Sequence, residues 1–254
     1  MKATITKALD RIEEEYRVKI ILACESGSRA WGFPSRDSDY DVRFIFVNPK
    51  DAYLSIADSR AVIEIPIDDL LDINGWDLKK SLQLMRKSNS PLMEWLSSPI
   101  QYQVRPEAYD KLAALSRLAF MPKTSCHHYL AMAGRSVEQY QKKEKVKPKT
   151  YMYAIRPVLC CQWIIDRMEQ PPMHMDDLLA GIGADRTFKE EVTRLIARKK
   201  DQTEKDTVKR SEIVEIYLRK KIAELPDRIP DNPPQPDLDL FDNAFRQILE
   251  DLNI

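Results

Sequence analysis

The sequence has no long hydrophobic run. No apolar stretch in its 254 residues approaches the roughly 20 residues that a membrane-spanning helix requires. The pattern of a secretory signal peptide is also missing. We therefore expect a cytoplasmic protein that does not act in a membrane.

An excess of charge of either sign is missing too. The chain has 40 basic and 40 acidic residues, and its formal net charge is zero. The chain as a whole therefore exerts no general attraction on nucleic acid, and any RNA-binding surface must be a local basic patch. Hydrophobic residues make up 43% of the chain, which is enough for a core in one large domain or two smaller ones.

Cysteine and histidine do not occur at the spacings of a metal site. The four cysteines are Cys24, Cys126, Cys160 and Cys161. No two of them have a metal-ligand spacing, and the adjacent pair is poorly suited to a disulfide, so we expect buried thiols in a reducing compartment. The three histidines also lack suitable partners, and we expect structural roles for them.

Hydrophobic periodicity indicates the main elements. An apolar stripe with helical spacing predicts a helix over residues 3–16. Alternating or continuous apolar residues predict strands over residues 19–23, 39–47 and 60–67. Pro66 places the last strand near an edge or an end, and Asp77 is suited to cap a helix that continues to about residue 87. From Thr124 onward the composition is helical and charged.

The segment between the first two strands has the composition of a phosphate-binding turn. Gly27 has no Cβ, so the backbone can turn sharply there and approach a ligand closely. Ser28 adds a hydroxyl group, and Arg29 adds a planar cation suited to phosphate oxygens. A helix that starts near Ala30 would direct its free N–H groups at the same anion.

Two carboxylates stand at the start of the second strand. Asp39 and Asp41 are two residues apart, which on a strand places them on one face, roughly 6–7 Å apart. Like charges at this distance repel each other unless a cation lies between them. Mg²⁺, or Mn²⁺ as an alternative, suits such oxygen ligands, and two ions would support in-line displacement at phosphorus. Arg43 shares this face, and we expect it to reach the metal site or a substrate phosphate.

The turn and the acids together resemble the signature of the polymerase-β nucleotidyltransferase superfamily. The longer strings ESGSRAWG and SDYDVRF, with further matches over residues 72–80, 88–91 and 94–100, resemble the RNA repair pathway DNA polymerase beta family. The resemblance implies an α+β fold, with a small mixed-sheet nucleotidyltransferase core followed by a helical C-terminal domain. We predict a catalytic domain at residues 1–120 and a helical substrate-binding domain at residues 121–254, which includes a proline-rich linker and a terminal helix.

Members of this superfamily usually have a third carboxylate on a neighbouring strand, where it completes a metal site and accepts a proton from the attacking hydroxyl. Asp72 precedes Ile-Asn-Gly-Trp and a Leu-Lys-Lys helix start, as the resemblance implies for the third acid. Glu64 lies between two isoleucines, so alternation places it opposite the apolar face. We favour Asp72 and keep Glu64 as the alternative; each acid could also be an ordinary solvated residue.

A lysine-rich segment over residues 142–149 is followed by tyrosines and an arginine. It is either a substrate-facing basic patch with rings for base stacking or a charged helix end with buried tyrosines. The resemblance favours a nucleotide-binding role for Lys149, Tyr151 and Arg156. Trp31 and Trp76 flank the turn and the third-acid segment, where they could stack a base or pack in the core.

The resemblance implies an enzyme that binds a nucleoside triphosphate. An acceptor hydroxyl would attack the α-phosphate, pyrophosphate would leave, and the third acid would act as the base. The family name implies an RNA 3′ end as the acceptor. A protein acceptor, a small-molecule acceptor and a non-catalytic nucleotide or RNA binder are the alternatives.

Overall fold

A computed structural model of the chain describes residues 1–68, 70–203 and 205–254. The chain forms two compact units, each assembled from segments that are distant in sequence. The first unit comprises Met1–Gly27, Asp39–Phe120 and Pro234–Ile254, and the second comprises Ser28–Ser38 and Met121–Pro233. The catalytic and substrate-binding functions assigned above to residues 1–120 and 121–254 stay predictions.

The strands of the described residues form one mixed sheet and one small ribbon. They are β1 (Lys19–Glu25), β2 (Tyr40–Val47), β3 (Val62–Asp68), β4 (Leu71–Asp77), β5 (Gln101–Val104), β6 (Lys145–Val146) and β7 (Val208–Lys209). The helices are α1 (Lys2–Tyr16), α2 (Gly27–Ala30), α3 (Lys50–Tyr53), α4 (Leu78–Arg86), α5 (Ser90–Leu96), α6 (Pro106–Leu118), α7 (Pro122–Tyr140), α8 (Pro148–Arg167), α9 (Met175–Gly181), α10 (Arg186–Lys200), α11 (Glu212–Glu224) and α12 (Leu238–Asp251). The predicted α+β class, a small mixed sheet followed by helices, is confirmed.

The mixed sheet organises the first unit. Its strand order is β3-β4-β2-β1-β5. β2 is parallel to β4, and the other neighbouring pairs are antiparallel. β3 is an edge strand, as Pro66 predicted, because a residue without an N–H group is tolerated where no further strand pairs. The parallel β2–β4 pair is central to the candidate site, since it aligns equivalent ends of two strands.

Both faces of the sheet are covered by apolar layers. On one face, Val42 and Phe44 of β2 pack with the buried stripe of α1. On the other face, Ile45 and Val47 pack with α4, α5, α6 and α12. Successive strand residues alternate between the faces, so Asp41 and Arg43 belong to the same side of β2 as Ile45. This side of the strand is therefore polar at its start and apolar at its end.

The second unit is mainly helical. The long helices α7 and α8 pack along each other, and β6 pairs with β7 in a two-stranded ribbon. The ring of Phe188 stacks on that of Tyr217 at 3.7 Å between centroids. All four cysteines of the chain are buried and form no disulfide, as the sequence predicts.

Within the described residues, no helix combines the length and the apolar character needed to cross a lipid bilayer.

Candidate active site

The parallel β2–β4 pair brings two acids together. Its register sets Asp41 opposite Asp72 and Arg43 opposite Asn74. Nη2 of Arg43 donates to Oδ1 of Asp41 at 3.0 Å and to Oδ2 of Asp72 at 2.7 Å. Nη1 of the same guanidinium donates to the carbonyl oxygens of Val42 and Asp72, each at 3.1 Å. One planar cation thus connects the two carboxylates, and we call these three side chains the Asp41–Arg43–Asp72 cluster.

The cluster is sheltered but reachable from solvent. The exposed fractions of the side chains are 18% for Arg43, 30% for Asp41 and 27% for Asp72. At this depth charges are screened less than at an open surface. Two neighbouring carboxylates would repel each other there, and the guanidinium offsets that repulsion.

Gly27 lies directly against the Asp41 carboxylate. Its φ is +60°, a left-handed conformation that residues with a Cβ rarely adopt. A Cβ at this position would lie 2.2 Å from Oδ2 of Asp41, well inside contact distance. The close approach predicted for this glycine is therefore directed at an acid of the cluster. The helix predicted near Ala30 begins at Gly27 instead and is a single turn.

Glu25 positions the start of β2, a role that the sequence analysis missed. It is fully buried at the end of β1. Its Oε1 accepts from the backbone N–H of Asp41 at 2.9 Å, and its Oε2 accepts from the Tyr102 hydroxyl. Ser98 Oγ donates to the Glu25 carbonyl at 2.6 Å. The sequence did contain an indication of this role. Glu25 follows a continuous apolar run, and an unpaired charge there would raise the free energy of the folded state.

The remaining candidate acids occupy different positions. Asp39 is exposed and lies immediately before β2, not within it. Glu64 is exposed on the edge strand β3, where it pairs with Asn74. Asp72, by contrast, shares a guanidinium with Asp41. The geometry favours Asp72 over Glu64 as the third acid, and its catalytic role stays a prediction.

Ser28 and Arg29 belong to a loop that closes on itself in the second unit. Ser28 Oγ donates to Ser38 Oγ at 3.2 Å, and Nη2 of Arg29 donates to the Ser38 carbonyl at 2.7 Å. The buried Lys199 donates from Nζ to the Phe33 carbonyl at 3.0 Å. These bonds fix the backbone that presents the two predicted phosphate ligands.

Two of the three nucleotide-binding residues predicted around α8 are in the interior. Tyr151 is fully buried, and its hydroxyl exchanges hydrogen bonds of 3.2 Å with the backbone of Ser211. Burial raises the pKa of Tyr151 well above its ordinary value. Arg156 is 2% exposed and lies over the Trp31 ring at 4.5 Å. Base stacking requires an accessible ring face, so Tyr151 fits the alternative interpretation of a core tyrosine, while Lys149 is exposed.

The two tryptophans that flank the predicted turn and third-acid segment also pack in apolar surroundings. Trp31 meets Tyr153 edge-on at 5.1 Å between ring centroids. Trp76 lies 4.0 Å from Trp95 at a tilt of 33°. Core packing, the second of the two interpretations, accounts for both positions.

The donor chemistry of the cluster suits a hard divalent cation. Carboxylate oxygens are the ligands that Mg²⁺ prefers in proteins. Among the residues that the structure describes, no three His, Cys, Asp or Glu side chains already converge on a common metal position. The cation that now pairs with Asp41 and Asp72 is Arg43. The acids therefore fit a metal by ligand type, and one arginine compensates part of their charge.

A mixed sheet, paired acids on parallel strands and an adjacent glycine are what the resemblance to nucleotidyltransferases implies. Comparison with protein families agrees with this class: the family described as "RNA repair pathway DNA polymerase beta family" matches residues 1–247. The chain belongs to this family, which supports nucleotidyl transfer as its general activity.

Two individual proteins are similar to this chain. "Uncharacterized protein YcgL" of Bacillus subtilis (strain 168) is 47% identical over 225 residues, which cover 89% of this chain and 86% of that protein. A crystal structure of a nucleotidyltransferase-like protein from Exiguobacterium sibiricum 255-15 is 14% identical and covers 97% of this chain and 75% of its own. Its TM-score is 0.30.

Proposed function

We propose that this protein is a metal-dependent nucleotidyltransferase. It moves a nucleoside monophosphate from a nucleoside triphosphate to an acceptor hydroxyl and releases pyrophosphate. The observation that carries the proposal is the Asp41–Arg43–Asp72 cluster, formed by two parallel strands and in contact with Gly27. Family membership supports the same general chemistry.

Asp41 and Asp72, together with Asp39 immediately before β2, would hold Mg²⁺ or Mn²⁺. A bound ion would neutralise charge on the triphosphate and on the departing pyrophosphate. Arg43 gives the two carboxylates a cationic partner before the ion binds. It then pairs with phosphate oxygens, to which a planar guanidinium is well suited.

The other residues act by positioning and proton transfer. Asp72 accepts the proton of the attacking hydroxyl as the general base. Gly27 permits the phosphates to approach the backbone after β1. Ser28 and Arg29, which follow it directly in the chain, would donate to phosphate oxygens in place of their bonds to Ser38. Glu25 holds the backbone N–H of Asp41 and so keeps that carboxylate in place. Catalysis of this kind relies on orientation and preorganised charge.

An RNA 3′ end is the acceptor we favour. The family description refers to RNA repair, which supports RNA over a protein or a small molecule. Lys149 is exposed at the first turn of α8 and can contact an RNA phosphate. Such a contact predicts RNA binding that weakens as the salt concentration rises.

The test follows the label from each of the four nucleoside triphosphates, in its α-³²P and γ-³²P forms, with Mg²⁺ or Mn²⁺ and RNA that has a free 3′ hydroxyl. We expect RNA to retain the α label and not the γ label. RNA with a 3′ phosphate should remain unlabelled, because the attacking hydroxyl is blocked.

Two variants make this test specific to the cluster. Asp41→Asn should abolish labelling, while Asp10→Asn, which removes an exposed acid on α1, should not. Label on protein instead of RNA would indicate that the acceptor is a protein. Full labelling by Asp41→Asn, or no labelling by any of the four nucleotides with RNA or with protein, would contradict the proposed reaction.

A further inference from the structure

A groove of about 890 Å³ lies in the first unit between α4 and α12, with α3 at one end. Its floor is apolar: Leu82, Phe241 and Leu249 line it and are buried. Phe245 also lines the groove, and its ring meets the ring of Tyr53 edge-on at 5.1 Å. None of these residues belongs to the Asp41–Arg43–Asp72 cluster.

The rim of the groove is basic. Its cations without a carboxylate partner within 4 Å, among the described residues, are Lys50, Lys79, Arg86 and Lys87. Arg246 also lines the groove, at 3.9 Å from the carboxylate of Asp242. The whole chain has no net charge, so this concentration of positive charge is a local feature. It is complementary to an acidic ligand.

Arg86 provides a second and independent observation. Its Nε is buried and has no hydrogen-bond partner among the described residues. A buried donor without an acceptor is costly, and the cost is larger for a charged group. Arg86 lines the groove, so a carboxylate or phosphate bound there would lie beside this poorly compensated cation.

Aliphatic side chains at the edges of the groove indicate whether the acidic ligand is a protein or a nucleic acid. Leu54 is 74% exposed and Leu238 is 50% exposed, and both line the groove. Exposed aliphatic residues beside a groove mark a surface that another apolar surface covers. Single-stranded RNA prefers open aromatic faces, but Phe241 is only 3% exposed and the partly buried rings of Phe245 and Tyr53 pack against each other. The lining therefore favours aliphatic side chains over nucleobases.

We propose that this groove binds an amphipathic acidic helix of a partner protein. The apolar side of that helix covers the floor, and its aspartates and glutamates face the basic rim. The nine residues of α4 span about 13.5 Å, which accommodates anchors at positions i, i+3 or i+4, and i+7. This proposal does not depend on the reaction proposed above.

The probe is a fluorescein-labelled synthetic peptide of roughly 16 residues, long enough to form a helix, with leucines on one face and glutamates elsewhere. Fluorescence anisotropy with the full chain should show saturable binding that weakens as salt is added. A peptide with the same composition but with its leucines distributed around the helix should bind at least about tenfold more weakly, because it cannot cover the floor.

Variants at exposed positions locate the binding. Lys79→Glu with Lys87→Glu should weaken binding by about tenfold or more, because it reverses the charge of the rim. Leu54→Ser with Leu238→Ser should weaken it by a similar factor, since it removes apolar contacts. The matched control is Lys2→Glu with Lys7→Glu, an equal charge change on exposed positions of α1, and it should bind like the unaltered chain.

Three results would overturn the proposal. The first is no measurable binding of the acidic helical peptide. The second is equal binding by the rim variant and the α1 control. The third is that a labelled oligouridylate binds more tightly than the peptide and that only the rim variant loses this binding. That result would mean that the groove binds nucleic acid. Equal melting temperatures of all variants would exclude misfolding as the cause.

Discussion

At the scale of single residues, Arg43 determines the charge balance of the candidate site. Its guanidinium bonds to Asp41 and Asp72 together, so the two carboxylates share one positive charge. These bonds use Oδ1 of Asp41 and Oδ2 of Asp72, so a divalent ion that took the same two oxygens would displace this arginine. The same contact therefore stabilises the protein and would compete with the metal binding that we propose.

Replacing the arginine tests this competition. Arg43→Gln should lower the free energy of unfolding by about 1–2 kcal/mol in a metal chelator, because two partly buried carboxylates lose their cation. Added Mg²⁺ should stabilise this variant more than the unaltered chain, since no arginine needs to be displaced. Urea unfolding with and without Mg²⁺ measures both effects.

Arg11→Gln is the control for that comparison, because it removes an arginine that is 82% exposed and pairs with Glu15. We expect it to change stability by less than about 0.5 kcal/mol. If Arg43→Gln responded to Mg²⁺ no more than this control, the two acids would not be the metal ligands.

Gly27 carries a separate prediction. Gly27→Ala should destabilise the chain by about 1–3 kcal/mol and reduce labelling activity, because φ is +60° and the new Cβ would meet Asp41 Oδ2. Gly134→Ala is the control, since nothing lies within 4 Å of its Cβ position in α7. That change should stabilise the chain by up to about 1 kcal/mol. Thermal unfolding and label transfer would show both results, and an active, stable Gly27→Ala variant would contradict the account.

The local part of the site could be predicted from the sequence, and the part that depends on distant residues could not. The glycine turn and its approach to Asp41 lie within one short segment, so residue type was a sufficient guide there. The spacing of Asp39 and Asp41 predicted a shared strand face, but Asp39 precedes β2. The bond between Glu25 and the Asp41 backbone depends on strand pairing across 16 positions. The burial of Tyr151 depends on Ser211, 60 residues away. Neither contact has a signal in the local pattern.

At the scale of elements, capping residues and apolar stripes were reliable guides. Asp77 caps α4, as predicted, by accepting from the backbone N–H groups of Lys79 and Lys80. Strands β4 and β5 were not predicted, because polar residues and a glycine interrupt the hydrophobic pattern of β4 and β5 is only four residues long. The third acid nevertheless lies on a strand next to β2, as the resemblance implied.

The terminal helix α12 is a structural part of the first unit. Phe241 is 3% exposed and belongs to the apolar layer over the sheet, whereas Leu240 is 40% exposed. Phe241→Ala should lower the free energy of unfolding by about 3–5 kcal/mol, because it opens a cavity in that layer. Leu240→Ala should have little effect. Urea unfolding would decide, and equal effects of the two changes would mean that α12 does not complete the core.

At the scale of the whole molecule, the two units are interleaved along the chain. Residues 28–38 and residues 234–254 each belong to a different unit from the segment that precedes them. A boundary read along the sequence, such as the one predicted at residue 120, describes contiguous segments. A single boundary cannot represent a unit that contains segments distant in sequence, because the assembly of such a unit depends on tertiary packing.

Buried tyrosines predict the response of the chain to alkali. Burial raises the pKa values of Tyr151 and Tyr217 above the ordinary value of about 10. Above that pH the unfolded tyrosines lose protons that the folded ones retain, so this stabilisation is complete below pH 10 and decreases as the pH rises. Each of these two tyrosines should lower the free energy of unfolding by up to about 1.4 kcal/mol per pH unit above pH 10.

Urea unfolding across this pH range measures the slope. Above pH 10, the free energy of unfolding of Tyr151→Phe should decrease less steeply with pH than that of the unaltered chain, because one of the titrating groups is removed. At neutral pH it should be less stable by about 1 kcal/mol, since it loses the bonds to Ser211. An unchanged slope would mean that Tyr151 does not ionise on unfolding.

If Asp72 completes the proposed catalytic site with Asp41, its removal should slow transfer far more than removal of Glu64. The most direct measurement compares the single-turnover rate of α-³²P transfer among the unaltered chain, Asp72→Asn and Glu64→Gln. We predict a loss of about 10²–10⁴-fold for Asp72→Asn, as expected for removal of a general base, and a rate close to that of the unaltered chain for Glu64→Gln. Loss of transfer in Glu64→Gln with transfer retained in Asp72→Asn would contradict the account.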